Sequence, residues 1–165
     1  MEQKETILSA DDDENDVLLL KMAFAKVGLA EKLQQVKDGA EAIHYLNGDG
    51  VYADRESFPF PCLLLLDLKM PYKNGFDVLT WIRAQPVIKH LIVAVLTASR
   101  DDADIRRAYD LCTNSYLVKP TTVAGLENLA RKVKDYWLEL NSNPDCRPLA
   151  RRSADFNPQN GYERD

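Results

Sequence analysis

Hydrophobic and polar positions alternate between two periods along most of this chain. Residues 6–10, Thr-Ile-Leu-Ser-Ala, form a short apolar run of strand type that ends in Asp11-Asp12-Asp13. From Asn15 onward Val17, Leu20, Phe24 and Val27 recur at three- and four-residue spacing, which predicts a helix closed by Gly28. Residues 32–36 predict a weak second strand, Asp38-Gly39 a turn, and Ala42, Ile43 and Leu46 a second helix stopping near Asn47-Gly48. Residues 49–61, charged and holding Pro59 and Pro61, are expected to form a long surface connection. Residues 62–66, Cys-Leu-Leu-Leu-Leu, lack any polar alternation, the pattern of a parallel strand covered on both faces. Asn74 is placed to cap a third helix with Phe76, Leu79 and Ile82 inward, interrupted by Pro86. A second continuous strand spans 91–96, a polar helix 101–111 and a short strand 115–118. Leu126, Leu129, Val133, Trp137 and Leu140 then line a closing helix.

Strict alternation of strand and helix implies right-handed crossovers, hence a doubly wound α/β domain with a five-stranded parallel sheet. The domain is expected over residues 5–140. Residues 141–165, with Pro144, Pro148 and Pro158 among balanced charges, are expected to be a polar, disordered tail. The length of 165 residues suits one domain, and 45% apolar residues suffice for a core. Lys and Arg number 21 against 26 Asp and Glu, a net charge of −5, which argues against nucleic acid and anionic membranes as partners. Cys62, Cys112 and Cys146 have no paired spacing, and no apolar run approaches bilayer length, so a cytoplasmic protein is expected.

In a doubly wound sheet, chemistry collects at the carboxyl ends of the strands. Those ends carry Asp11 and Asp12, Asp67, Thr97 and Lys119. Crowded carboxylates repel unless a cation lies among them, and a hard divalent ion such as Mg2+ matches oxygen ligands. A metal, a lysine and a hydroxyl around one central carboxylate are the parts that stabilise a phosphoryl group in transfer, with Asp67 as nucleophile.

The segments Ile7-Leu8-Ser9-Ala10-Asp11-Asp12-Asp13, Leu64-Leu65-Leu66-Asp67-Leu68-Lys69-Met70-Pro71 with Asn74-Gly75, Leu96-Thr97-Ala98 and Tyr116-Leu117-Val118-Lys119-Pro120 together resemble the receiver domain of bacterial two-component response regulators. The resemblance covers residues 5–140 and implies a flavodoxin-like (βα)5 fold with strand order 2-1-3-4-5. It implies that Asp67 accepts phosphate from a sensor histidine kinase, with Mg2+ held by Asp12, Asp67 and the Lys69 backbone carbonyl and by Asp11 through a water. It further implies that Thr97 and Tyr116 form a switch pair, that Lys119 contacts the phosphoryl group, and that the Lys119–Pro120 bond is cis. Lys69 and Ala98, flanking the pocket, would tune hydrolysis. The long 49–61 connection, in a chain with no output domain recognised, is similar to the stand-alone regulators that partner phytochrome-type kinases. Where many receivers carry a glycine before the fifth strand, this chain has Leu111-Cys112-Thr113-Asn114, so Asn114 is expected to supply any left-handed conformation.

Simpler readings accompany these. An Asp11–Asp13 acid run also caps a following helix. Gly48-Asp49-Gly50-Val51-Tyr52-Ala53 matches a dinucleotide fingerprint in letters only, because it follows a helix and leads into a loop. His44 and His90 lack catalytic partners, and Trp81 sits at core spacing. Tyr136 and Trp137 are expected to pack in the core or to extend an apolar face for a homodimer. The alternative functions are a Mg2+-dependent phosphatase with an aspartate nucleophile, which calls for a second acid where Lys69 stands, and a pseudo-receiver that only binds partners. The downstream protein is not identified by the sequence.

Overall fold

The computed structural model describes residues 5–143. Five parallel strands, β1 (Ile7–Ala10), β2 (Leu33–Val36), β3 (Leu63–Leu66), β4 (Ile92–Thr97) and β5 (Ser115–Val118), lie in the order β2-β1-β3-β4-β5. Helices α1 (Glu14–Lys26), α2 (Gly39–Asn47), α3 (Gly75–Ala84), α4 (Asp102–Asp110) and α5 (Val123–Val133) connect and follow them. This is the doubly wound arrangement expected from the alternation.

The leucine run of β3 shows why its sequence lacks polar alternation. Leu64 and Leu66 enter a core with Val78, Leu79 and Ile82 of α3 and Tyr45 of α2. Leu63 and Leu65 enter a separate core on the opposite face, with Leu20 and Phe24 of α1 and Leu126 and Ala130 of α5. Side chains two residues apart share a face, so a strand covered by helices on both sides must be apolar at every position. Each fully buried leucine contributes roughly 1.5–3 kcal/mol relative to exposure.

Helix ends follow local chemistry. Asp13 accepts hydrogen bonds from Asn15 N and Asp16 N at the start of α1, Asp38 from Glu41 N, and Asn74 forms a reciprocal capping box with Asp77. Gly28 and Gly48 take left-handed φ of 81° and 77° just past α1 and α2. Past Val133 the last helix widens into a π-helix, Lys134–Leu140.

Two expectations change. The connection over 49–61 is more than a surface loop: it contains a 3-10 turn, Gly50–Ala53, and its Tyr52 and Phe58 rings pack on Tyr45, tilted and edge-on, with centroids 4.9 and 6.1 Å away. Arg55 locks it by donating to the backbone carbonyls of Tyr45 and Leu46 at the end of α2 and of Phe58. The left-handed residue before β5 is Cys112, with φ 64°, and not Asn114. Asn114 instead caps β4, its Oδ1 accepting from Val93 N at 2.8 Å and from Arg83 at 3.1 Å. The expected tail lies, beyond residue 143, outside the described residues.

Candidate phosphoryl-transfer site

The strand ends are fixed by ladder hydrogen bonds that run one residue past each strand. Asp11 N donates to Val36 O, Asp67 N to Ala10 O and Lys119 N to Thr97 O, at 3.1, 3.0 and 2.8 Å. Each functional side chain is therefore carried on backbone as rigid as the sheet itself. The acids form a tight group: carboxylate oxygens of Asp11, Asp12 and Asp67 all lie within 4.8 Å of one another. Asp11 and Asp67 are each 6% exposed, while Asp12 is open to solvent. Asp13 caps α1, its Oδ1 accepting from Asn15 N and Asp16 N, so the helix-capping reading of the acid run falls on this residue.

Asp67 receives a direct contact from each of its expected helpers. Thr97, 1% exposed, donates its hydroxyl to Asp67 Oδ1 at 2.8 Å, and Lys119 Nζ lies 3.1 Å from Asp67 Oδ2. Lys119 also meets Asp11 Oδ2 at 2.7 Å and Asp16 Oδ2 at 2.8 Å. Burial on its own would lower the lysine's proton affinity, but the hydrogen bonds to Asp11 and Asp16 and the charge of Asp67 outweigh it, so its pKa rises and it stays an ammonium. For Asp11 the balance falls the other way. Burial raises its pKa above the ordinary carboxylate value even though Lys119 and the Asp13 N–H oppose the shift.

An open cavity of about 570 Å³ gives access to the group, lined among others by Asp12, Asp67, Lys69, Thr97, Ala98 and Lys119. Lys69 N approaches Asp67 Oδ1 at 3.4 Å. Two close backbone approaches hold this loop down. A Cβ on Gly75 would strike the Asp67 carbonyl oxygen and come within 2.8 Å of Leu68 Cα, so only glycine lets α3 start there. Gly75 N donates to Leu68 O at 2.9 Å across that same contact.

Tyr116 stands outside the acid cavity. Its ring packs against the small core of Leu68, Phe76, Val95 and Ala108, and its hydroxyl donates to Ser99 O at 3.0 Å, two residues past Thr97. Burial raises its pKa, keeping the hydroxyl protonated to make that bond. The expected cis bond at Pro120 is a correction: no peptide bond among the described residues is cis, and Lys119–Pro120 follows the ordinary trans preference of about 0.5–1 kcal/mol. The sequence did not single out Asp16. A first-turn acid is already explained by the helix dipole, so its type and position carry no separate signal.

The acid trio is a fitting cradle for a hard divalent cation, with anionic oxygens on two strand ends and one face open to solvent. Comparison with known proteins agrees with this geometry. The family model of the response regulator receiver domain matches residues 7–131. Response regulator Rcp1 of Synechocystis is 33% identical over 138 residues, which is 84% of this chain and 92% of Rcp1. Its Mn(2+)-bound crystal form superposes with a TM-score of 0.73, covering 85% of this chain and 99% of Rcp1, at 31% identity. The phosphorylated cyanobacterial phytochrome response regulator RcpA gives a TM-score of 0.77 at 33% identity, covering 85% and 98% of the two chains. The probable methanogenesis regulatory protein FilR2 of Methanothrix harundinacea is likewise 33% identical over 138 residues, 84% of this chain and 86% of FilR2.

Proposed function

Because the chain belongs to the response regulator receiver domain family, we propose that it is a phosphorylation-operated switch whose acceptor is Asp67. The observation that carries this reading is the double contact on that one carboxylate, Thr97 on Oδ1 and Lys119 on Oδ2, within a trio of acids. A carboxylate oxygen of Asp67 attacks the phosphorus of a phosphohistidine on a sensor histidine kinase. The P–N bond breaks, the imidazole leaves with the bonding pair, and an aspartyl phosphate remains. In this reading Lys119 faces the developing negative charge, and the Thr97 hydroxyl, donated to Asp67 Oδ1 in the resting site, turns to a phosphoryl oxygen.

Mg2+ is the proposed physiological ion, held by Asp12, Asp67 and the Lys69 carbonyl with Asp11 through a water; when bound it neutralises the acids and the transferring group. The Mn(2+)-bound form of Rcp1 supports a divalent cation in this cluster. The proposed output couples Thr97 to Tyr116 through the Ser99 carbonyl, so that movement of the β4–α4 loop toward the phosphoryl group shifts the ring and with it the α4–β5–α5 face. The likeness to RcpA, a cyanobacterial phytochrome response regulator, supports a phytochrome-type kinase as donor. A phosphatase reading lacks its second acid, because Lys69 occupies that position.

Incubation of the full chain with Mg2+ and acetyl phosphate tests the acceptor. One phosphoryl group per chain by intact mass is expected for the natural protein and none for Asp67→Asn. Full labelling of Asp67→Asn overturns the reading.

A further inference from the structure

Lys119 Nζ meets three carboxylates from separate parts of the fold, donating to Asp16 and Asp67 and pairing with Asp11 at 2.7 Å. Two of these belong to the site already described: Asp11 to the acid cluster and Asp67 as acceptor. The third, Asp16, is in neither role. It is not part of the trio whose oxygens converge, it stands in the first turn of α1, and its side chain is 41% exposed against 8% for each of the other two. Yet its contact with the ammonium, 2.8 Å, is shorter than the 3.1 Å contact to the acceptor.

We propose that Asp16 is a positioning residue that sets how tightly the site holds a phosphoryl group, by competing with that group for Lys119. The inference rests on the reading of Asp67 as phospho-acceptor. Phosphoryl oxygens arriving at Asp67 require a lysine donor, and the ammonium already faces three carboxylates. Asp11 is almost buried, so releasing it leaves a desolvated carboxylate without its partner, whereas water can solvate Asp16. Asp16 is therefore the partner given up at least cost.

A carboxylate at position 16 weighs on the phosphorylated side whichever way the competition ends. If it keeps the ammonium, a negative charge stands one hydrogen bond from the cation that serves the phosphoryl dianion; if it lets go, an ion pair of the resting state is lost. There is space for release. Asp16 lies on the partition between the acid cavity and a second one of about 370 Å³ between α1 and the start of α5, lined by Leu20, Val123 and Leu126. Without Asp16, Lys119 stays anchored by Asp11 at 2.7 Å, so its orientation survives the loss of one partner.

Beryllium fluoride, a stable phosphoryl mimic on carboxylates, is the probe. Calorimetric titration of the full chain at saturating Mg2+ is expected to show roughly two- to fivefold tighter binding in Asp16→Asn, the range expected for losing one partly exposed charge contact. Asp16→Ser, a second neutral and helix-compatible side chain, should match it, and Asp16→Glu should restore the natural value. Mg2+ affinity measured without fluoride should move less than about twofold in Asp16→Asn, which separates competition for lysine from a change at the acid trio. Unchanged or weaker beryllium fluoride binding in both neutral variants overturns the inference. A natural protein that forms no adduct at all refutes the acceptor reading instead, and the inference falls with it.

Discussion

Replacing Gly75 by alanine is a sharp test of how the acceptor is held. The added Cβ meets backbone atoms, the Asp67 carbonyl oxygen and Leu68 Cα at 2.8 Å, and no side-chain rotamer can relieve either contact. Opening the second contact to the ordinary 3.4 Å requires a displacement of about 0.6 Å between α3 and the loop that follows β3. Two effects oppose each other. Alanine favours a helix over glycine by roughly 0.5–1 kcal/mol, but inserting a methyl group into a filled site costs about 1–3 kcal/mol. Overpacking wins because both neighbours are main chain. We expect a net loss of about 1–2 kcal/mol in urea unfolding, with an unchanged denaturant slope. The same displacement shifts Asp67 and Lys69 relative to Thr97 and Lys119, which are anchored on β4 and β5. Acetyl phosphate labelling should therefore slow by roughly tenfold, in line with the cost of sub-ångström misplacement of reacting groups. A Gly75→Ala protein as stable as the parent and labelled at the same rate would refute the idea that this close approach positions the acceptor.

Two further outcomes follow from contacts away from the acids. Asn114→Ala removes the acceptor for the Val93 N–H at the start of β4 and one of the ligands of Arg83, so a loss of about 1–3 kcal/mol is expected in urea unfolding, and a loss under about 0.5 kcal/mol would contradict the capping role. Tyr52 has its pKa raised from 10.0 to about 12 by burial, by its hydrogen bond to Glu41 and by that residue's charge. The folded state thus holds this proton more tightly than the unfolded chain, and the stability it contributes is complete below pH 10 and lost as pH rises from there through about 12. Tyr52→Phe should flatten the alkaline limb of the stability profile, and an identical limb in both proteins would dismiss the assignment.

Most of the fold was legible because burial on two faces leaves an unambiguous mark: the leucines of β3 have no polar position to spare. The convergence of Asp67, Thr97 and Lys119 was legible because a parallel sheet gathers its strand ends, so residues as far apart as Asp11 and Lys119 had to meet. Three features escaped for distinct physical reasons. Asp16 is chemically indistinguishable from a dipole-stabilising acid until the lysine opposite it is seen. The left-handed turn before β5 was expected at Asn114 from residue preference, but tertiary demand for its side-chain oxygen at Val93 moved that conformation to Cys112. The 49–61 connection was read from its charges and prolines, whereas its Arg55 satisfies the orphan carbonyls of α2 and its aromatic rings bury against Tyr45.

Asn143 donates through Nδ2 to the carbonyl of Cys62 at 2.7 Å, and Cys62 N donates to Thr6 O at 2.8 Å. Both ends of the described chain are thus tied to the amino-terminal pole of the sheet, the full length of a strand away from Asp67. Surface immobilisation or labelling at Glu5 or Asn143 therefore leaves the rim around the acceptor unobstructed for a docking donor, and a probe attached there reports on the far pole only what the intervening sheet transmits.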